Sequence, residues 1–423
     1  MSVWDEFNWR GTIYDATEGL PAFIAEQKLT AYVGFDPTAS SLHVGSLLPV
    51  MSLARLQRHG HSPIAVVGGG TGLIGDPSGK SQERYLLSRE QVNANLLGIK
   101  EQLERFLDFR AVTNPARIVN NADWLTTISM MDFLRDVGKH FTVNYMLGKE
   151  SVSRRLDKDQ GISFTEFSYM LLQAYDFLML KDQYDCMLQM GGSDQWGNIL
   201  AGVELIRRTR GSKAHGLVFP LLTTAGGLKF GKTEAGTVWL DPKLTSPFRF
   251  YQFWLNADDK DVVLYLKFFT FLTREEIEGW QEELKTAPEK REAQRTLARE
   301  VTRLVHGSTE LEKAEKSSRV LFGGDISGIN VADVLEIFID VPSHCISSDF
   351  FNSGRASVID LAVSSEVVSS KGEARRLVLN GGLYLNNRRV SDIQQRVELS
   401  DCIGGQVLIL RKGQKQYHLV KIV

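Results

Sequence analysis

The sequence predicts an α/β protein: a doubly wound parallel-sheet domain first, an α-helical domain after it, and a small basic α+β domain at the C-terminus. Three observations carry this. Between Leu29 and about Pro220, short apolar runs alternate with helical patterns of about 10–20 residues, as parallel βαβ units do. From about Ser246 to Leu321 the pattern is consecutive helices. Residues 355–423 then hold 11 Lys+Arg against 6 Asp+Glu, net +5, while the other 354 residues carry 38 against 45, net −7.

A chain of 423 residues exceeds one compact core, so two or three domains are expected. With 43% hydrophobic and 24% charged residues it reads as a soluble globular protein, not a disordered, coiled-coil or collagenous one. No apolar run is long enough for a membrane helix, and Met1–Glu6 lacks a basic, then apolar, leader. Cys186, Cys345 and Cys402 lie far apart without paired spacing, which argues against a disulfide framework or a structural zinc site. The expectation is a cytoplasmic protein that does not span a membrane.

In chain order, Ala31–Phe35 is a strand, and an amphipathic helix follows from His43 to Arg58. Pro63–Gly68 is a second, buried strand. A polar helix is expected over Gln91–Phe106, and Tyr184–Met190 and Leu217–Leu222 read as further strands. Ser246-Pro247 places proline at the first position of a helix, and Thr273-x-x-Glu276 is a capping box. Further helices begin near Asp258, Pro288 and Ser308. Gly323–Gly354 reads as a linker with one apolar patch. Ser370-x-x-Glu373 caps a short helix ending at Asn380-Gly381-Gly382, and Leu383–Leu385, Asn386-Asn387 and Arg388–Val390 suggest a hairpin.

The glycine-rich stretch after the second strand invites two readings that fail. Gly70-x-Gly72-x-x-Gly75 fits a dinucleotide fingerprint, but a polar helix follows where a strand ending in an acidic residue is needed, which weighs against a nicotinamide-dependent oxidoreductase. A phosphate loop would need glycine where Ile74 stands. The remaining reading is close approach of backbone to a ligand at a strand end.

Three segments are more specific. After Tyr32-Val33-Gly34-Phe35-Asp36, the turn Pro37–Ser46 enters a helix whose first turn carries His43, Gly45 and Ser46, where free N–H groups and the helix dipole favour phosphates. Lys229-Phe-Gly-Lys232-Thr233 is a glycine-flanked loop with two lysines three apart. Phe164–Lys181 is an apolar helix with Tyr169, Gln173 and Asp176 on one face, a polar stripe that needs a partner. Met190–Asn198, with Asp194 and Gln195, adds polar groups after a strand.

Taken together, the histidine turn and the lysine loop resemble the His-Ile-Gly-His and Lys-Met-Ser-Lys-Ser signatures of class I aminoacyl-tRNA synthetases. With Gly72–Lys80, Gly161–Phe177 and Gly191–Asn198, the chain resembles the bacterial-type tyrosyl-tRNA synthetases nearly end to end. Three departures stand out: Ser46 replaces the second histidine, Val33 stands where some relatives have cysteine, and the lysine loop keeps only its two lysines and a terminal hydroxyl. The related tryptophanyl enzymes share the fold but are not expected to have the Tyr32/Asp176 pair.

The resemblance implies a Rossmann-like catalytic domain over residues 1–222 that ligates L-tyrosine to tRNA(Tyr) through tyrosyl-adenylate, with ATP as substrate and Mg²⁺ on its phosphates. It implies that Tyr32 and Asp176 bond the substrate phenol, that Asp76, Tyr169 and Gln173 hold its ammonium, and that Gln195 lies near its carboxylate. Gly34, Asp36, Gly45, Ser46 and Asp194 are implied on the ATP side. Thr38, His43, Lys229, Lys232 and Thr233 are implied around the leaving pyrophosphate, joined by Lys80 and Arg84. A connector (223–245), a helical domain facing the anticodon arm (246–322) and a linker (323–353) are expected next. Residues 354–423 are then a ribosomal-protein-type RNA-binding domain, with Lys371, Arg375, Arg376, Arg388 and Arg389 as its basic face. A homodimer is implied, and no resident metal; the apolar segment around Phe133–Met146 and Phe164 is the candidate interface. The other reading left open is an RNA-binding protein that keeps the fold without the catalysis.

Overall fold

A computed structural model describes residues 2–78, 87–149, 152–153, 156, 161–227, 230–233, 236–352, 356–413 and 416–423. The chain packs as two compact units, Met1–Ser246 with Phe253–Gly307, and Pro247–Gln252 with Ser308–Val423. No described helix is long and apolar enough to cross a membrane.

The first unit is built on a six-stranded sheet. Its strands are β1 (Asp15–Ala16), β2 (Thr30–Phe35), β3 (Ser62–Val67), β4 (Arg117–Asn120), β5 (Cys186–Gly192) and β6 (His215–Phe219), in the spatial order β1-β6-β5-β2-β3-β4. All neighbours are parallel except the short β1, which runs antiparallel to β6. The winding moves outward from β2 through β3 to β4, then restarts at β5 on the other side of β2. The crevice at the carboxyl ends of β2 and β5 is therefore a topological switch point, where open α/β sheets bind ligands. β2, β3, β5 and β6 are buried almost throughout, as parallel strands covered on both faces must be.

The expected strands are present with ends moved by one to three residues, and β1 and β4 were not expected. The helix foreseen from His43 begins as a 3₁₀ turn (Val44–Ser46) and continues as Leu47–Arg58. Helices Pro247–Leu255, Val262–Phe269, Arg274–Thr286, Glu292–His306 and Ser308–Leu321 occupy the all-helical stretch. The Thr273–Glu276 box closes in both directions, through bonds of 3.3 and 2.7 Å.

In the second unit a five-stranded sheet runs β11-β10-β12-β13-β9, with β9 (Ser343–Ile346), β10 (Leu383–Leu385), β11 (Arg388–Arg389), β12 (Val407–Lys412) and β13 (Gln416–Ile422). Asn386 and Asn387 both take left-handed φ, 48° and 61°, so β10 and β11 join by the two-residue turn that asparagine supports best. Residues 323–353 are more than the expected linker: they supply helix Val331–Ile337 and β9, which pairs in parallel with β13. Two apolar clusters lie in this unit, one holding Val358, Leu361, Leu383 and Leu408, the other Val320, Val334, Phe338 and Ile409.

Candidate active site

The crevice between β2 and β5 opens into a cleft of about 350 Å³. Its lining includes Tyr32, Gly34, Asp36, Thr38, His43, Gly45, Ser46, Asp76, Tyr169, Gln173, Asp176, Asp194 and Gln195. Elements from Tyr32 to Gln195 in the sequence thus meet at the carboxyl ends of two neighbouring strands. Among the described lining residues there is no lysine or arginine, while four are aspartates.

The inner end is a set of buried polar groups fixed by one another. Tyr32 is 2% exposed, and its hydroxyl has no hydrogen-bond partner among the described residues. A buried, unpaired hydroxyl is costly unless something else completes it. Asp176, from helix Phe164–Tyr184, accepts from Trp124 Nε1 at 2.7 Å and from Asn121 Nδ2 at 2.9 Å. Burial pushes its carboxyl up to about 7, against the pull of the Asn121 and Trp124 donors. Asn121 Nδ2 also reaches Thr71 Oγ1 at 2.9 Å, and Thr71 donates to Asp36 Oδ1 at 2.9 Å. Tyr169 donates to Asp36 Oδ2 at 3.0 Å. Burial, and then Asp176 beside Tyr32 and Asp36 beside Tyr169, drive both phenols well above their ordinary pKa, so both remain protonated donors.

A second chain crosses the cleft. Asp76 Oδ2 accepts from Gln195 Nε2 at 2.6 Å and Asp76 Oδ1 from the Ser78 N–H at 2.9 Å. Asn198 Nδ2 then spans Gln195 Oε1 and Gln173 Oε1, at 3.2 and 3.1 Å. Tyr169, Gln173, Asp76 and Gln195 therefore face the same space, one suited to an ammonium beside a carboxylate.

Sequence reasoning missed Asn121, Trp124, Thr71 and Gln189 as parts of this site, and placed Asn198 only within the polar run that follows a strand. Asn121 and Trp124 follow β4, whose four residues, Arg-Ile-Val-Asn, are at most half-buried and give no strand signal. Gln189 pairs with Tyr32 across the two strands, and its buried Oε1 also has no partner among the described residues; its position inside an apolar strand was the available cue.

The outer end is built differently. His43 Nδ1 accepts from the Gly45 N–H at 3.0 Å, which places the proton of the neutral ring on Nε2, a donor nitrogen. The ring folds over Gly45 so closely that a Cβ there would meet Cε1 at 2.7 Å. Around Gly34, by contrast, a Cβ would meet nothing within 4 Å, so backbone is bare toward the cleft. Thr38 is exposed. The dinucleotide-fingerprint lookalike is explained by packing and backbone: a Cβ would stand 2.9 Å from Leu125 Cδ1 at Gly70 and 3.0 Å from Pro37 Cδ at Gly72, and Gly75 has φ +84°.

Lys232 and Thr233 are not in the cleft wall. They form β7 (Lys232–Thr233), paired with β8 (Gly236–Thr237), and both are exposed. This hairpin is tied to the histidine turn through Val44 N–H to Val238 O at 3.0 Å and a bridge between His43 and Trp239. Lys229, Lys80 and Arg84 lie outside the described residues. No group of three His, Cys, Asp or Glu among the described residues is placed to hold a metal ion.

Comparison with known proteins decides the family. Residues 25–323 match the model described as tRNA synthetases class I (W and Y), and residues 333–420 match the tyrosine–tRNA ligase SYY-like C-terminal domain. Tyrosine–tRNA ligase from Roseiflexus castenholzii is 56% identical over 422 residues, and that from Geobacillus stearothermophilus 52% over 424, each covering 100% of both chains. The chain belongs to the tyrosine–tRNA ligase family. Among solved structures, a C-terminally truncated mitochondrial tyrosyl-tRNA synthetase of Aspergillus nidulans superposes with a TM-score of 0.69 at 33% identity, covering 76% of this chain and 94% of that one. The Archaeoglobus fulgidus tyrosyl-tRNA synthetase complexed with L-tyrosine shares the fold, with a TM-score of 0.54 at 17% identity over 74% of this chain and 99% of its own.

The basic residues expected on the C-terminal domain, Lys371, Arg375, Arg376, Arg388 and Arg389, are all exposed. They are not equivalent. Lys371 is paired with Asp360 at 2.6 Å, while Arg388 and Arg389 form the edge strand of the sheet.

Proposed function

We propose that the cleft binds L-tyrosine with its ring inward, activates it with ATP, and passes it to tRNA(Tyr), releasing pyrophosphate in the first step and AMP in the second. The observation that carries this is the pairing of the unpartnered Tyr32 hydroxyl with the buried Asp176 carboxylate at the closed end of the cleft. A phenol entering there donates to Asp176 and accepts from Tyr32. Phenylalanine would leave the Tyr32 hydroxyl buried and unanswered, at a cost of about 1–3 kcal/mol, and Asp176 with only its Asn121 and Trp124 donors.

With the ring so placed, Asp76, Tyr169 and Gln173 receive the ammonium and Gln195 lies beside the carboxylate. That carboxylate is already ionised at neutral pH, so its attack on the α-phosphorus needs no general base and no covalent nucleophile. Rate comes from alignment and from stabilising charge on the departing phosphates. Gly34, Asp36, Gly45, Ser46 and Asp194 flank the nucleotide, and Thr38, His43, Lys229, Lys232 and Thr233 serve the pyrophosphate. Lysine is needed there because the described cleft wall offers only negative formal charge. The described residues form no dedicated magnesium site; Mg²⁺ bound with ATP would supply charge neutralisation on its phosphates.

The helices after Ser246 face the anticodon arm, and the C-terminal domain grips structured RNA through phosphate contacts from Arg375, Arg376, Arg388 and Arg389, with Lys371 alongside. The enzyme works in the cytoplasm as a homodimer. Exposed apolar side chains on helix Met130–Asp136 (Met130, Met131, Leu134), at Val143 and at Phe164 support that interface, whereas Met146 is buried in the subunit's own core. The test is tyrosine-dependent exchange of labelled pyrophosphate into ATP without tRNA: exchange is expected, and its absence in folded protein sinks the reading.

A further inference from the structure

Between the two lysines of the loop stands Phe230, and it is 4% exposed. A phenylalanine in a glycine-flanked surface loop has no reason to be buried unless the loop is meant to be held. Its ring lies among four others: Tyr265 at 5.0 Å, Phe269 stacked at 5.4 Å with an interplanar angle of 9°, Phe253 at 5.6 Å and Trp254 at 5.8 Å. Those rings also touch one another, at 5.0 to 6.3 Å. They belong to helices Pro247–Leu255 and Val262–Phe269. The loop is tied to the same helices once more, by the Ala225 N–H to Asp261 Oδ2 bond of 2.9 Å.

The next residue is fixed from the other side. Gly231 has φ +79°, and a Cβ there would come within 2.7 Å of Val44 Cγ2, beside the Gly45 amide. Gly231 O accepts from Val238 N–H at 3.0 Å, closing the base of the hairpin that carries Lys232. One residue thus plugs an aromatic socket, the next presses on the histidine turn, and the lysine follows directly.

We propose that Phe230 is a positioning residue for the adenylation step: its ring in the aromatic socket sets where the Lys232 hairpin stands relative to the His43–Gly45 turn. This rests on the reading of Lys232 as a group that serves the pyrophosphate. Phe230 touches neither substrate nor phosphate, and it acts only through the lysine it places. Misplacing a charged group by about 1 Å is enough to lose up to ~10²-fold in rate.

The experiment is a double-mutant cycle on the full-length enzyme, with Phe230→Ala, Lys232→Ala and the double variant, read by pyrophosphate exchange and by tyrosine binding in equilibrium dialysis. Phe230→Ala should slow exchange by roughly 10- to 100-fold with tyrosine affinity unchanged. In the Lys232→Ala background the same change should cost less than about twofold, because the two residues act as one unit. Phe268→Ala empties a comparable buried site on helix Val262–Phe269, since Phe268 is 2% exposed; it should lower the unfolding midpoint similarly and leave exchange near wild type. A wild-type rate for Phe230→Ala, full additivity with Lys232→Ala, or equal slowing by Phe268→Ala overturns the proposal. If Phe230→Ala does not fold, Phe230→Leu replaces it in the cycle, with a several-fold slowing expected and a wild-type rate overturning it. An unimpaired Lys232→Ala enzyme shows instead that the reading of Lys232 is wrong, in an arm separate from the others.

Discussion

At the closed end of the cleft, Tyr32, Asp36, Asp76, Tyr169 and Asp176 are largely buried, and hydrogen bonds of 2.6–3.0 Å to one another and to Asn121, Trp124, Thr71 and Gln195 set most of them in place. At the open end, Thr38, Lys232 and Thr233 are exposed, and the lysine hairpin stands outside the cleft wall. The first arrangement suits a ligand bound in its ground state, because the polar groups are already desolvated and oriented. The second suits groups whose contribution comes when charge builds on the phosphates, since interactions made only then raise the rate without deepening the ground state. Selection of the amino acid and acceleration of the reaction are thereby assigned to different ends.

The sharpest way to break this division is Lys232→Ala. Exchange should fall by ~10²–10³ while tyrosine affinity stays nearly unchanged; stopped-flow adenylation and equilibrium dialysis read the two separately, and a parallel loss of affinity would merge the two ends. Asp176→Asn is the converse test. It should weaken tyrosine binding by roughly 10- to 100-fold, the value of a hydrogen bond to a charged group, while ATP affinity changes little.

A pH series sharpens the same point. With the Asp176 carboxyl at about 7 in the empty cleft, the form that accepts the phenol grows as pH rises. Tyrosine affinity should climb up to ~10-fold per unit below neutrality and level off above it, with the step lost in Asp176→Asn. The stability linkage has the opposite sign. Burial raises the folded pKa above the ordinary 3.8, so the protonated carboxyl favours the folded state: that contribution is complete below about pH 4 and is lost as pH rises through 7. Bound tyrosine should offset the loss, which thermal unfolding at pH 5 and pH 8 with and without tyrosine will show.

The smallest expected effect lies outside both ends. Replacing Arg388 and Arg389 with alanine should leave exchange untouched and lower the slope of log affinity for tRNA against log salt by about 2, one per phosphate contact removed. Substitution is the cleaner probe, because truncation near residue 354 would leave β9 without its partner β13.

How much of this was legible in the sequence follows the strength of local signals. The stripe Tyr169, Gln173, Asp176 sits in a 21-residue apolar helix, where three polar residues on one face are conspicuous. β2, β3 and β5 are apolar enough to be read from their residues alone. By contrast β4 has four residues with no buried face, β1, β7 and β8 have two each, and β9 lies in a polar stretch; tertiary pairing forms them, so Asn121 and Trp124 could not be placed beside Asp176 in advance. The aromatic socket shows the same limit: Phe230, Phe253, Trp254, Tyr265 and Phe269 are visible as aromatics, but only the packing of the helices brings them around one ring.

The most direct test of the division is a calorimetric titration of the full-length enzyme with L-tyrosine and with L-phenylalanine, in the absence of ATP and tRNA. Strong preference for tyrosine under these conditions is predicted, because the Tyr32 hydroxyl and the Asp176 carboxylate are in place before any nucleotide arrives. Equal affinity for the two amino acids would contradict the account and move selection to the open end.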